Sequence, residues 1–560
     1  MLPSPADLVL TGGTGYTVDA ANRWAQAVAI TDGRIAAVGT DADMRPFVGP
    51  RTEVVNLHGR MLVPGFQDAH IHPVGGGLQL LRCDLTGLLT GADYLRAIGE
   101  YARVHPAAEW IRGGGWAMEA FPGGRPTAAA LDAVVDDRPV FLPNRDHHSA
   151  WVNSRALHLA GVTRDTPDPA DGRIERDAAG DPTGALHEGA MNLVARHMPA
   201  DTPADLVEAL RVAQRHLHSL GITAWQDAII ATPAPGEADS LEAYRWFADR
   251  GELTARVRGA LWWDRDRGAE QIPELTARRE KSSVGRFSAP TVKIMQDGVC
   301  ETFTAAVLDP YLDGHGHPTN NHGISFVDAE ALKDYAVQLD AAGFQIHFHA
   351  LAERAVREAL DALEAARRAN GPNDLRHHLA HIQLVHPADL PRFRQLGAVA
   401  NAQPLWASYE PQMTELTIPF IGPERAGWQY PFGSLERSGA QLAFGSDWPV
   451  TSANPLLEIH VAVNRTAPVA LAEAGSRAVS EAFLPDQALT LGSALRAFTM
   501  GSAYVNHLER DTGSIEVGKY ADLAVIDRDL FAQPAGEIAE ARVQLTLVEG
   551  HPVFEAGDFR

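Results

Sequence analysis

At 560 residues, with 45% hydrophobic and 21% charged content, the chain fits a soluble globular protein too long for one ordinary core, so two or three domains are expected. A formal net charge of −23, with no dense Lys/Arg run, argues against nucleic acid and anionic membrane as partners. Two cysteines, Cys83 and Cys300, are too few for a disulfide framework or a thiolate zinc knot; no apolar run approaches a membrane span and "MLPSPADLVL" has no basic, apolar leader, so a cytoplasmic protein is expected.

Residues 1–63 read as short strands and turns: "ADLVLTGG", "AQAVAITDGRIAAVG" and "TEVVNLHGRMLVPG". Asp32-Gly33 between two apolar runs is a hairpin signal. The "GGTG" at 12–15 lacks a following Gly-Lys-Ser/Thr and is no phosphate loop. The centre alternates strand-like and helix-like segments. Strands are expected at 65–72, 223–228, 256–264, 289–298, 345–351, 377–385, 398–404 and 441–450. Helical stretches such as "DAEALKDYAVQLDAAG" and "AERAVREALDALEAARRANG" separate most of them. Eight strands in β–α order predict a (β/α)8 TIM-like barrel with its site at the strand C-terminal ends. Residues 73–222 exceed any ordinary βα connection and predict an inserted subdomain over the barrel mouth, including the turn-rich "DTPDPADGRIERDAAGDPTGAL". The last stretch, 515–560, repeats the β grammar of the first 63 residues, so the two ends are expected to meet as one composite β-sandwich around a central 64–514 barrel unit.

Polar residues recur where the barrel strands should end. His70 and His72 in "FQDAHIHP" project to one side of a strand, and two imidazoles at that spacing can share an ion. Lys293 interrupts the apolar pattern of "VKIMQDG"; a lysine there more often snorkels to solvent. His347 and His349 make a second His-x-His, His378 and His381 lie in "HHLAHIQLV", and Asp447 ends "LAFGSDWPV". Any one of these is more often a hydrogen-bonded structural residue. Such polar residues recurring in one order, each near a predicted strand end, point to a metal site. His148, in the polar "HHSAWVNS" of the insertion, is either a packing histidine or an oxyanion donor, and Trp116, Trp151 and Trp406 are either core or pocket lining.

The segments "VPGFQDAHIHP", "VKIMQDG", "HFHALAERAV", "LAHIQLV" and "FGSDWP" resemble the successive signatures of the amidohydrolase superfamily, and most closely its branch containing N-substituted formamide deformylase. "IRGGGWAMEAF", "HHSAWVNSRAL", "GDPTGALHEGA" and "TGSIEVGKYADLAVID" extend the resemblance over nearly the whole chain. It implies that His70, His72 and Asp447 hold one ion, that His349 and His381 hold a second, and that a carboxylated Lys293 bridges them. His347 is then left to the barrel packing. Ligands without thiolate suit zinc or another divalent transition metal, with a binuclear centre favoured over one ion. The implied activity is hydrolysis of a carbon–nitrogen bond in a small-molecule amide, with Asp447 as proton shuttle and His148 as the candidate oxyanion donor. An ester, lactone or cyclic amide at the same site, or a non-catalytic regulatory protein on the same scaffold, are the alternatives; a homodimer is left open. The chain departs from the family at Ala352-Glu353 and at Ala380, positions that bear on how His349 and His381 are oriented.

Overall fold

The computed structural model describes residues 4–233, 238–472, 476–557 and 559. Eight parallel strands form one sheet: β1 (Phe66–Ile71), β2 (Ile222–Ile230), β3 (Arg256–Trp262), β4 (Phe287–Met295), β5 (Gln345–Ala350), β6 (His378–His381), β7 (Val399–Ala402) and β8 (Gln441–Phe444). Their hydrogen-bonded order follows the sequence, so the sheet curls into a nearly closed barrel. Most strand residues are buried on both faces, as a sheet wrapped by helices requires. The predicted strands all appear. β6 is shorter than the apolar run suggested, because the chain turns at His381 and Ile382, both at positive φ, and β7 ends at Ala402 before a short helical turn at Pro404–Trp406.

The helices follow amphipathic spacing and local caps. In Glu353–Asn370 the buried positions Ala355, Val356, Ala359, Leu360, Leu363 and Ala366 make one stripe facing the barrel. Pro203–Ser219 begins with proline in its first turn and a reciprocal cap between Thr202 and Asp205. It packs on Pro73–Leu80, the helix that leaves β1; Gly77 allows the contact, since a Cβ there would lie 2.0 Å from Ala209 O.

β1 and β8 meet without a ladder, and side chains close the gap. The Asp68 carboxylate accepts from the backbone N–H of His70 and of Ser446, at 3.0 and 3.1 Å. Asn401 Nδ2 donates to Ala69 O at 2.9 Å, and Asp447 N to His70 O at 2.8 Å.

The segment after β1 carries its own six-stranded sheet, from Cys83–Asp84 to Pro182–Glu188. The stretch read as turn-rich contains a hairpin, Gly172–Arg176 with Pro182–Glu188. Its β-poor composition is offset by Asp177, whose Oδ1 accepts from Ala179 N and Asp181 N and shapes the turn. Trp116 and Trp151 lie fully buried in the core of this segment, their indole N–H groups given to Leu142 O and Thr127 O, so neither lines the barrel mouth.

At the chain ends, Met61–Pro64 pairs antiparallel with Leu523–Ile526 inside a six-stranded sheet. A four-stranded sheet (Leu8–Thr11, Ala27–Thr31, Arg34–Gly39, Glu53–Asn56) shares a core with it through Leu10, Val28, Ile30, Leu62, Val525 and Leu545. Asp32 and Gly33 are both at positive φ between paired strands, as a tight two-residue hairpin demands.

The β1–β8 seam leaves no room at Gly445, where a Cβ would stand 2.5 Å from His70 N. Gly445→Ala is therefore expected to cost about 1–3 kcal/mol, read as a lowered thermal midpoint. Gly536→Ala, where a Cβ meets open space, is the control that should leave the midpoint unchanged.

Candidate active site

A cavity of about 530 Å³ opens at the C-terminal ends of the barrel strands. His70, His72, Lys293, His349, His381, Asp447 and His148 all line it. β1 delivers His70, and His72 follows as the residue that starts helix Pro73–Leu80. Lys293 is on β4, His349 on β5 and His381 at the end of β6. Asp447 lies three residues beyond β8 at φ 57°, and His381 is at φ 76°. Left-handed backbone at non-glycine residues costs about 1–3 kcal/mol each and persists where surrounding structure imposes it.

Asp447 is the centre of the cluster. Its Oδ1 lies 3.1 Å from His70 Nε2 and 2.9 Å from His72 Nε2, and its Oδ2 3.8 Å from His381 Nδ1. Yet Asp447 Oδ1, His72 Nδ1 and His381 Nδ1 are buried with no hydrogen-bond partner among the described residues. Atoms of His70, His381 and Asp447 lie within 4.8 Å of one another, as one ion would require.

The protonation of His70 follows from the groups beneath it. Gln345 Nε2 donates to two backbone carbonyls, Arg376 O and Val505 O, at 3.0 and 2.7 Å. Carbonyls only accept, so the Gln345 oxygen must face Gln226 Nε2, 3.1 Å away. The Gln226 oxygen then faces His347 Nδ1 at 2.8 Å, and His347 must donate to it. Burial holds His347 neutral, well below the usual histidine range, so its Nε2 is an acceptor. It takes the proton on His70 Nδ1, 2.8 Å away. His70 is pushed down to about 3 by burial, with Lys293 adding to the effect, and is also neutral. Its bare Nε2 lone pair therefore points at the Asp447 carboxylate from 3.1 Å. Two lone pairs so placed repel unless a cation stands between them.

Other groups orient the remaining residues. Asp297 Oδ1 lies 3.1 Å from His349 Nδ1 and also accepts from Leu351 N. The residues at the departures from the family pattern do different work: Glu353 accepts from Leu308 N, while His381 gives its backbone N–H to Gln403 Oε1 and stacks on Trp406 at 5.4 Å and 9°. Lys293 is buried at the cavity wall, and burial brings its ammonium down to about 7 despite the nearby Asp447. His148 Nδ1 is held by both oxygens of Glu188, at 2.9 and 3.0 Å. Burial opposes its charge, but Glu188 overcomes this and raises it to about 9. Glu188 is itself fixed by Thr304 Oγ1 at 2.8 Å and sits at φ 50°.

Sequence reasoning missed Glu188, Asp297, Gln226 and Gln345. Asp297 and Glu188 lie in motifs that carried the family resemblance, "VKIMQDG" and "GDPTGALHEGA", so a signal was there. Gln226 and Gln345 are single amides inside apolar strands and carry none.

The sequence profile of the Amidohydrolase family matches residues 53–554. The chain is 31% identical to Protein LONG AFTER FAR-RED 3 of Arabidopsis thaliana, over 98% of this chain and 92% of that protein. It is 30% identical to N-substituted formamide deformylase of Arthrobacter pascens, over 97% of each. A crystal structure of an uncharacterized metal-dependent hydrolase from Pyrococcus horikoshii OT3 superposes with a TM-score of 0.70 at 25% identity, covering 94% of this chain and 99% of that one.

Replacing His347 with Phe removes the acceptor that fixes His70 and should weaken divalent-metal binding roughly 10–100-fold. Chelator competition measures this without turnover; unchanged affinity in a folded variant refutes the orienting role.

Proposed function

The chain belongs to the amidohydrolase family, and from that premise we propose that it is a metal-dependent hydrolase cleaving the carbon–nitrogen bond of a small N-acyl or N-formyl amide. The observation that carries this reading is the confrontation of the His70 Nε2 lone pair with the orphaned Asp447 Oδ1 in a buried cluster. The donor set is nitrogen and oxygen only, which fits zinc or a similar divalent ion. His70, His72 and Asp447 are assigned to one ion, His349 and His381 to a second, and Lys293 to the position between them.

Lys293 suits a bridging role only as a carbamate. A protonated ammonium has no lone pair and repels cations. Buried and brought toward neutrality, its amine adds to carbon dioxide; a C–N bond forms, one proton leaves, and the product carries a single negative charge shared by two oxygens.

Divalent ions held by this set supply Lewis acidity and bring a bound water's pKa down toward ~7. The chain's own groups do the rest. Asp447 takes the proton of the attacking water and returns it to the leaving nitrogen. His148, with Nδ1 tied to Glu188, has only Nε2 left to face the cavity and donates to the carbonyl oxygen as it gains charge. The apolar wall of Val74, Leu78, Ile229 and Met295 receives the body of the substrate and excludes water from it.

The native protein should contain one or two transition-metal ions per chain, and chelation should abolish release of amine from a panel of N-formyl and N-acyl amines. Asp447→Asn should cut kcat by roughly 10²–10⁴-fold. Absence of stoichiometric metal after growth in ample zinc, or near-native turnover by metal-loaded Asp447→Asn, overturns the reading.

Lys293→Ala should lose one ion and most activity, and acetate or propionate should restore part of both. Full metal content and activity in that variant would leave a single-ion centre at His70, His72 and Asp447.

A further inference from the structure

Beside the main cavity lies a smaller one of about 50 Å³. Asp146, Val299, Leu351, Trp406 and Val450 line both, so the two communicate through a largely apolar throat. The end of the side pocket is acidic. Glu301, Glu410 and Asp146 face it, and Arg145 is the sole cation among its described lining residues.

Arg145 does not balance that charge. Its Nη2 is given to Gln412 Oε1 at 2.7 Å and lies 3.5 Å from both Glu410 and Glu119. It contacts two carboxylates directly; Asp146 is balanced at longer range by Arg145 and the charged His148, and Glu301 is left without a cation. Thr417 Oγ1 donates to one oxygen of Glu301 at 2.8 Å, and His148 N to one oxygen of Asp146 at 2.9 Å; neither contact supplies formal charge.

A second observation points to a ligand. Tyr430 and Gln383 line the same pocket and are 3% and 2% exposed. Gln383 Nε2 is committed to Gln429 Oε1 at 2.9 Å, while the Tyr430 hydroxyl and Gln383 Oε1 make no hydrogen bond to the described residues and face the pocket. Both side chains are almost wholly buried, and each presents a free oxygen that a donor entering the pocket would meet. A phenol oxygen, an amide oxygen and carboxylates together present acceptors to a compact group rich in N–H and positive in charge. The volume suits such a group, since a water molecule's share of its liquid is roughly 30 Å³.

We propose that this side pocket binds a protonated amine of the substrate, distant from the scissile amide and joined to it by methylenes that run through the throat of Val299, Leu351 and Val450. The proposal rests on the amide-hydrolase reading and narrows its substrate class to amides that carry a second, cationic amine. Burial, with Asp146 adding to it, holds the Glu301 carboxyl above its ordinary range, as an acid that lacks its counter-ion should be.

The test is calorimetric binding to the metal-loaded enzyme of monoacetylated α,ω-diamines and N-methyl amides of ω-amino acids, in series of rising length. Each is paired with an isostere in which methyl replaces the ammonium. A best-fitting ammonium compound should bind at least about tenfold tighter than its isostere. Glu301→Gln and Tyr430→Phe should each shrink that ratio several-fold. A wild-type ratio of one or less in every series overturns the subsite, as does a ratio that Glu301→Gln leaves unchanged; if either variant fails to fold, the wild-type ratio decides. Acyl release is followed separately. Preferential binding without release sinks the hydrolase reading and leaves the subsite standing, while release from the isosteres without ammonium preference does the reverse.

Discussion

The orientation of one imidazole organises this protein's site. His70 presents a bare nitrogen to the cavity because three hydrogen bonds beneath it run in one direction, from His70 through His347 and Gln226 to Gln345. Two main-chain carbonyls, of Arg376 and Val505, terminate the run and cannot be reversed. Members of the chain come from β1, β2 and β5, and Thr291 on β4 adds a hydroxyl to Gln345. The barrel interior therefore does more than fill space. It converts a fixed feature of the backbone into the direction of a lone pair roughly a barrel's depth away.

Two bodies of structure meet over that centre. The barrel provides residues that are buried, neutral or anionic and crowded together. The segment after β1 provides His148 and Glu188, a charged pair fixed by Thr304 from the loop after β4. The contrast in protonation is environmental. His70 and His148 are both buried, but only His148 has a carboxylate fastened to the nitrogen that faces away from the cavity. One residue type thus serves as a lone-pair donor on one side of the cavity and as a proton donor on the other.

The barrel could be read from the sequence because each strand is short, apolar and followed by an amphipathic helix, a pattern that survives without knowledge of contacts. The expected strand at 441–450 shows the limit. β8 stops at Phe444, since Gly445 is pressed against His70 and Asp447 is thrown into the left-handed region, and both effects depend on a strand some 370 positions earlier. The clustered polar residues stood out as exceptions to an apolar pattern. Gln226 and Gln345 did not, since an amide in a strand resembles any tolerated polar residue until its partners on other strands are known. Trp116 and Trp151 invited a pocket reading by size alone, whereas their indole N–H groups are spent on carbonyls of their own segment.

The pairing of Met61–Pro64 with Leu523–Ile526 carries a consequence for how the chain is made. Val63 and Ala524 face each other across roughly 460 positions of sequence, and β1 begins two residues after that strand. At a ribosomal pace of about 5–20 residues per second, the edge of Met61–Pro64 waits roughly 20–90 s for its neighbour to be synthesised. Throughout that interval one edge of this buried, apolar strand stands open beside the first strand of the barrel, its other edge being paired with Thr14–Tyr16. A nascent chain of this design depends on shielding, by a chaperone or by provisional pairing, until its last tenth has emerged.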